Sequence, residues 1–286
     1  MNKGQPMSIP EMVLPKRLWG ARLHFFLAVS LICLPADWCI GSAEVAIYND
    51  SAWPDGGAWA EGIEAIEAML TSYGYTYEEI GPPDINSAVD LNSHYKVLIV
   101  GGGWAGGYNR YIKESGFKNI GSFVRRGGGY FGICAGSYFA AEAVLWKPDV
   151  QTPAELYNYP LDLFRGLARG ALQHIKPWTS PTGCQTVITE GAVMTGIKVN
   201  NSALPLVHSE LEMLYYGGPT FLPLPSANQN LQVVATYRAP GAPVDGNPAM
   251  ILFSHGTARS FSPAPTRKFL LIKIAAVSTS TTRHGS

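Results

Sequence analysis

Apolar residues in this chain come in short unbroken runs separated by glycine and proline, with helical spacing between some of the runs. Glu44 to Tyr48 is a β-type run closed by the turn cluster Asn49-Asp50-Ser51. Ile63, Ile66, Met69 and Leu70 then recur at helical intervals, which predicts an amphipathic helix over roughly residues 57–73. Thr76 to Ile80 reads as a second strand, stopped by Gly81-Pro82-Pro83. Tyr95 to Val100 is a third, apolar on both faces at its end as a buried parallel strand is, and it runs straight into Gly101-Gly102-Gly103. A helix is expected around Ile120 to Arg126 and a strand at Tyr130 to Ile133 behind Gly127-Gly128-Gly129. A further helix is expected from Ala135 to Ala143.

Strands alternating with helices across short Gly-rich turns predict an α/β fold, a mostly parallel sheet covered by helices on both faces. The rhythm changes from Gln185 onward. Thr186 to Thr189, Leu231 to Tyr237 and Met250 to Phe253 are β-like runs between Pro/Gly turns, read as antiparallel strands added to the sheet in the C-terminal half.

The start of the chain follows a different pattern. Lys16, Arg17 and Arg22 precede Leu23 to Pro35, a run without Asp, Glu, Lys or Arg, and Gly41-Ser42-Ala43 follows. Basic flank, short apolar segment and small residues match a secretory signal, with cleavage expected near Ala43. The run is short for a helix crossing ~30 Å of hydrocarbon; the alternative is an uncleaved membrane anchor. The division is thus residues 1–43 as a signal peptide, 44–259 as the folded domain and 260–286 as an atypical tail.

Charge sharpens this division. Charged residues make up 15% of the 286, with 21 basic and 21 acidic groups, so the basic excess a nucleic-acid binder needs is missing. Without residues 1–43 the chain carries 17 basic and 19 acidic groups, a net charge of −2. No Asp or Glu follows Asp245, whereas Arg259, Arg267, Lys268, Lys273 and Arg283 do. A membrane role is expected only through the export signal.

The sharpest chemistry lies in Gly132-Ile133-Cys134-Ala135-Gly136. A cysteine between strand and helix in the frame G-x-C-x-G has the arrangement of a nucleophile elbow. The side chain would stand at the carboxyl edge of the sheet, where doubly wound folds place their sites. The Ala135 amide, with Gly102 and Gly103 of the loop after the third strand, would supply oxyanion donors. Two plainer readings stand beside it: a small buried cysteine in a tight turn, or a disulfide with Cys184.

Val97-Leu-Ile-Val-Gly-Gly-Gly103 with Arg126-Gly-Gly-Gly-Tyr-Phe-Gly-Ile-Cys-Ala-Gly-Ser137 resembles the class I glutamine amidotransferase-like superfamily. More narrowly it resembles the domain at the N-terminus of fungal biotin–protein ligases, also found alone in bacteria. Leu161 to Gly170, Tyr215-Tyr-Gly-Gly-Pro219 with Phe221, and Val234-Ala-Thr-Tyr237 fit the narrower family. The resemblance spans roughly residues 44–259. It implies the flavodoxin-like fold, Cys134 as nucleophile and Gly102/Gly103 at the oxyanion loop.

Amidotransferases of the superfamily complete a triad with a His-Pro-Glu segment. No such segment occurs here, and its expected place falls near Thr266-Arg267-Lys268, in the acid-free tail. A diverged end or a shifted reading frame after Arg259 accounts for this. His255 and Asp245 are weak substitutes: they follow the nucleophile in the acid-then-base order of α/β-hydrolases, but Asp245 sits in a Gly/Pro turn.

No metal or cofactor is expected. Two cysteines after residue 43 and scattered histidines give no four-ligand set. Gly101-x-Gly103-x-x-Gly106 matches a dinucleotide fingerprint formally but lacks the acid about 20 residues on. The expectation is an exported relative of the amidotransferases, without a recognisable base, that binds a small-molecule or peptide ligand. The alternative is a thiol-dependent amide or ester hydrolase using Cys134 with His255 and Asp245.

Overall fold

The computed structural model describes residues 43–87, 90–176, 193–200, 210–224, 230–254 and 269–272. The proposed signal up to residue 42, Cys184 and His255 lie outside them. Among the described residues no helix is long and apolar enough to cross a membrane.

The first half of the domain builds four adjacent parallel strands: β1 (Val45–Tyr48), β2 (Tyr77–Ile80), β3 (Val97–Val100) and β4 (Gly129–Ile133). Their order is β2-β1-β3-β4. Helix α1 (Ala60–Ser72) connects β1 to β2 and buries Ile63, Ile66, Met69 and Leu70, the four positions its spacing predicts. Each such side chain contributes about 1.5–3 kcal/mol on burial. Short helices α2 (Pro82–Asn86) and α3 (Leu91–His94) lead to β3. Helices α4 (Ala105–Tyr111) and α5 (Glu114–Arg125) lead from β3 to β4.

Right-handed crossovers put α1 on one face of the sheet and the later helices on the other, because the chain reverses its direction of travel after β2. That reversal opens the crevice between β1 and β3 at their carboxyl ends. The expected helix at Ile120–Arg126 is the second half of a longer one. Helix α4 was not signalled at all, since Ala105-Gly106-Gly107 is a poor helix-forming start.

After α6 (Ala135–Phe139) the chain departs from expectation. Instead of continuing as helix to Ala143, it turns into strand β5 (Ala141–Trp146), the start of a second sheet. That sheet has the order β10-β7-β5-β6, with β6 (Glu155–Tyr157), β7 (Phe164–Gly170) and β10 (Thr220–Pro223). Strand β7 alternates buried and exposed positions, so Phe164 and Ala168 face inward while Arg165 and Arg169 face out.

The C-terminal half returns to the first sheet. Strands β8 (Val193–Val199), β9 (Glu210–Tyr215), β11 (Gln232–Arg238) and β12 (Pro248–Phe253) pair antiparallel. Between β12 and β4 runs β13 (Phe269–Ile272), antiparallel to the former and parallel to the latter. The nine strands thus run β2-β1-β3-β4-β13-β12-β11-β8-β9. β13 lies within the segment set apart as a tail by its charge. Phe164 of β7 meets Phe253 of β12 at 5.6 Å between ring centres, which joins the two sheets through one core.

Candidate functional site

Cys134 stands between the last residue of β4 and the first of α6, with φ +47° and ψ −103°. This backbone is unusual for a residue with a side chain and marks a sharp reversal. Three bonds lock it. The Ser137 hydroxyl, fully buried, donates to the Gly132 carbonyl at 2.8 Å. The Gly136 amide donates to the Gly101 carbonyl at 3.0 Å, and the Tyr130 hydroxyl donates to the Gly136 carbonyl at 2.9 Å.

Gly136 is required by space. A β-carbon there would stand 2.0 Å from the Val100 carbonyl oxygen, so the first turn of α6 lies directly on the end of β3.

Helix α6 has only five residues. A nine-residue helix, as the sequence suggested, would have offered a fuller dipole; here the effect reduces to the local N–H groups at its start.

The loop after β3 comes alongside. A β-carbon on Gly102 would lie 3.6 Å from that of Cys134, so the two residues are in van der Waals range. The Gly102 carbonyl accepts from the Trp59 amide and the Tyr108 hydroxyl, and the Gly101 carbonyl accepts from Tyr108 as well. Gly103 has φ +140°, and a β-carbon there would strike the Gly57 carbonyl at 1.9 Å. With the carbonyls so engaged, the amides of Gly102, Gly103 and Ala135 donate to no acceptor among the described residues. The structure therefore brings Cys134, Ala135, Gly102 and Gly103 to one place.

Asp50 anchors this loop from β1. The carboxylate is buried; Oδ1 accepts from the Ala58 amide at 2.7 Å and Oδ2 from the Tyr48 hydroxyl at 3.3 Å. Burial, followed by the charge of Asp50, keeps the Tyr48 phenol protonated far above its usual range. Sequence reasoning took Asp50 for a turn residue; it holds the segment against which Gly103 and Trp104 pair.

Tyr215-Tyr216-Gly217-Gly218-Pro219 closes the other side. Cys134 Sγ donates to the Tyr216 carbonyl at 3.7 Å. The next three carbonyls each accept from a tyrosine: Gly217 from Tyr138 at 2.8 Å, Gly218 from Tyr215 at 3.4 Å and Pro219 from Tyr237 at 2.8 Å. Burial raises the phenols of Tyr138 and Tyr237 well above their ordinary values, and the charge of a Cys134 thiolate pushes both the same way. The thiol thus sits beside neutral phenols and main-chain oxygens. Sequence reasoning quoted Tyr215, Tyr216 and Tyr237 within family fragments and did not single out Tyr138; the signal was the doubled aromatic followed by two glycines.

Of the remaining candidates, Asp245 is exposed, and its Oδ1 accepts from the Ala239 amide at 2.8 Å across its own turn. Its side chain serves that turn, as its Gly/Pro setting suggested. His255 lies outside the described residues. Cys134 is a thiol and not half of a disulfide. Among the described residues no group of three His, Cys, Asp or Glu could hold a metal.

Residues 47–268 match the family described as biotin-protein ligase, N terminal. A biotin–protein ligase of Schizosaccharomyces pombe (strain 972 / ATCC 24843) is 30% identical over 142 residues, which is 50% of this chain and 21% of that protein. Among solved structures, a glutamine amidotransferase aligns over 80% of this chain and 87% of its own, at 16% identity and a TM-score of 0.44. A ThuA-like protein from Bacteroides uniformis aligns over 86% and 87%, at 12% identity and a TM-score of 0.47.

Proposed function

The chain belongs to the biotin-protein ligase N-terminal family, and from that premise we propose that it is an exported, catalytically silent amidotransferase-like domain that binds a small ligand at Cys134. In this reading Cys134 occupies a nucleophile elbow, and the amides of Ala135, Gly102 and Gly103 form a cradle for an anionic or carbonyl oxygen. The observation that carries it is the positive φ of Cys134 in the strand–helix reversal, with Gly102 against its β-carbon.

Silence rests on the sequence. No His-Pro-Glu occurs in the 286 residues, and Asp245 is occupied in an exposed turn. A cradle without a base still binds: donors placed for a developing oxyanion also accept a ground-state carboxylate or amide oxygen. Export rests on the basic flank, apolar run and small residues before Glu44. The match to the S. pombe ligase covers 21% of that protein, and biotin ligation is no part of this proposal.

Ammonia release from L-glutamine by the full chain and by Cys134→Ser tests the silent reading. The expected rates are equal to each other and to the uncatalysed background. Turnover in the parent that Cys134→Ser abolishes would restore the thiol-hydrolase alternative, with His255 as the first residue to replace. N-terminal sequencing of the exported protein, with Glu44 expected as first residue, checks the signal.

A further inference from the structure

Away from the thiol, a cavity opens where β5, β7 and β10 meet the turn between β11 and β12. Its volume is about 260 Å³. At ~30 Å³ for each water of liquid volume, that is room for a molecule of roughly eight or nine heavy atoms. Arg169 projects from the outward face of β7, in register with Leu145 of β5 on one side and Thr220 of β10 on the other, and all three line the space. Lys147 and His174 line it too, whereas no Asp or Glu does. Leu145, Leu172, Pro243 and Val244 supply apolar walls.

The cationic rim is held in place by the backbone. The Lys147 amide donates to the Gly170 carbonyl at 2.6 Å, and Gln173 Nε2 donates to the Lys147 carbonyl at 3.1 Å. The ion pairs of the described residues involve Arg110, Lys118, Arg126, Arg165 and Arg238, not these three. Asp149 interacts with Lys147 by charge, but its carboxylate is already bonded to the Thr152 and Gln151 amides and the Thr152 hydroxyl. Two positive side chains, Arg169 and Lys147, and the His174 imidazole around a small, partly apolar hollow match an anionic head on a short hydrocarbon body. His174 stands in an exposed turn at this rim.

We propose that this cavity is a binding site for a small organic anion, carrying a carboxylate or phosphate head on a body of a few carbons. It is separate from the thiol. Cys134 does not line it, and Tyr138 stands between them, with Gly170 packed on its hydroxyl.

Calorimetry on the full chain with hexanoate, hexyl phosphate, hexanol and inorganic phosphate tests this. One or both of the first two should bind saturably, and which of them binds identifies the head. Hexanol and inorganic phosphate should bind at least about tenfold more weakly, because each offers only half of the recognised features. Arg169→Gln and Lys147→Met should each weaken binding by about five- to tenfold, and added salt should weaken it further. Arg169→Lys keeps the charge and controls for folding, together with a thermal melt of each variant. Alkylation of Cys134 should leave binding intact. No saturable binding, equal binding of hexanol, indifference to both substitutions, or loss on alkylation would each overturn the proposal.

Discussion

Cys134 carries a side chain where the backbone favours none. At φ +47° and ψ −103° a residue with a β-carbon costs on the order of 1–3 kcal/mol, which the surrounding bonds must hold. Replacing Cys134 by glycine should therefore give a more stable protein than replacing it by alanine, by about 1 kcal/mol in urea unfolding, even after glycine's greater unfolded-state entropy. The opposite order would mean that the reversal is relaxed. This residue and Gly136 were legible in the sequence because both express themselves in residue type: a tight turn selects glycine, and chemistry selects cysteine. The Tyr216 carbonyl facing the thiol was not, since a main-chain oxygen leaves no mark on which residue carries it.

At the scale of elements, legibility followed the strength of the apolar pattern. Strands β1, β3 and β4 were plain because a buried parallel strand is apolar along its length. The segment Ala140-Ala-Glu-Ala143 misled because its composition favours helix. Pairing of β5 with β6 and β7 overrides that preference, and a second sheet results. The same scale holds a pH effect between α1 and β2. Glu67 is pushed up to about 7 by partial burial first, then by its hydrogen bond to Glu79 and the charges of Glu79 and Glu64. Folded Glu67 keeps its proton up to that pH, whereas an unfolded carboxyl releases it near 4.5. Between these values the folded chain binds more protons, so stability falls as pH rises. Glu67→Gln should raise the melting temperature at about pH 8 and leave it nearly unchanged at about pH 4; a melting difference independent of pH would count against the shared proton.

For the whole molecule, the question turns on the segment after Arg259. Its lack of acids set it apart in the sequence, yet the family match continues to residue 268 and β13 follows at 269–272. β13 pairs Leu270 with Phe131 of β4 and with Leu252 of β12, and so joins the parallel half of the sheet to the antiparallel half. A chain ending at Arg259 loses both ladders at once. The loss should exceed much of a typical stability of about 5–15 kcal/mol, and far-UV spectra with thermal melts should show no cooperative unfolding. A truncated protein that melts as sharply as the full chain would remove β13 from the fold. Nothing in the local composition of Phe269 to Ile272 reveals its central place, because strand order is a property of the assembled sheet.

That central place also sets a timetable. The seam of the sheet is made by the last described strand, and its partner β4 is ready long before. Until β13 arrives, β4 presents an open edge of backbone donors and acceptors, the kind of edge that recruits strands from other chains. Contacts between residues so far apart along the chain also close slowly. The period of greatest risk for this protein is thus the interval between emergence of β4 and arrival of residue 269, when self-association competes with completion of the sheet.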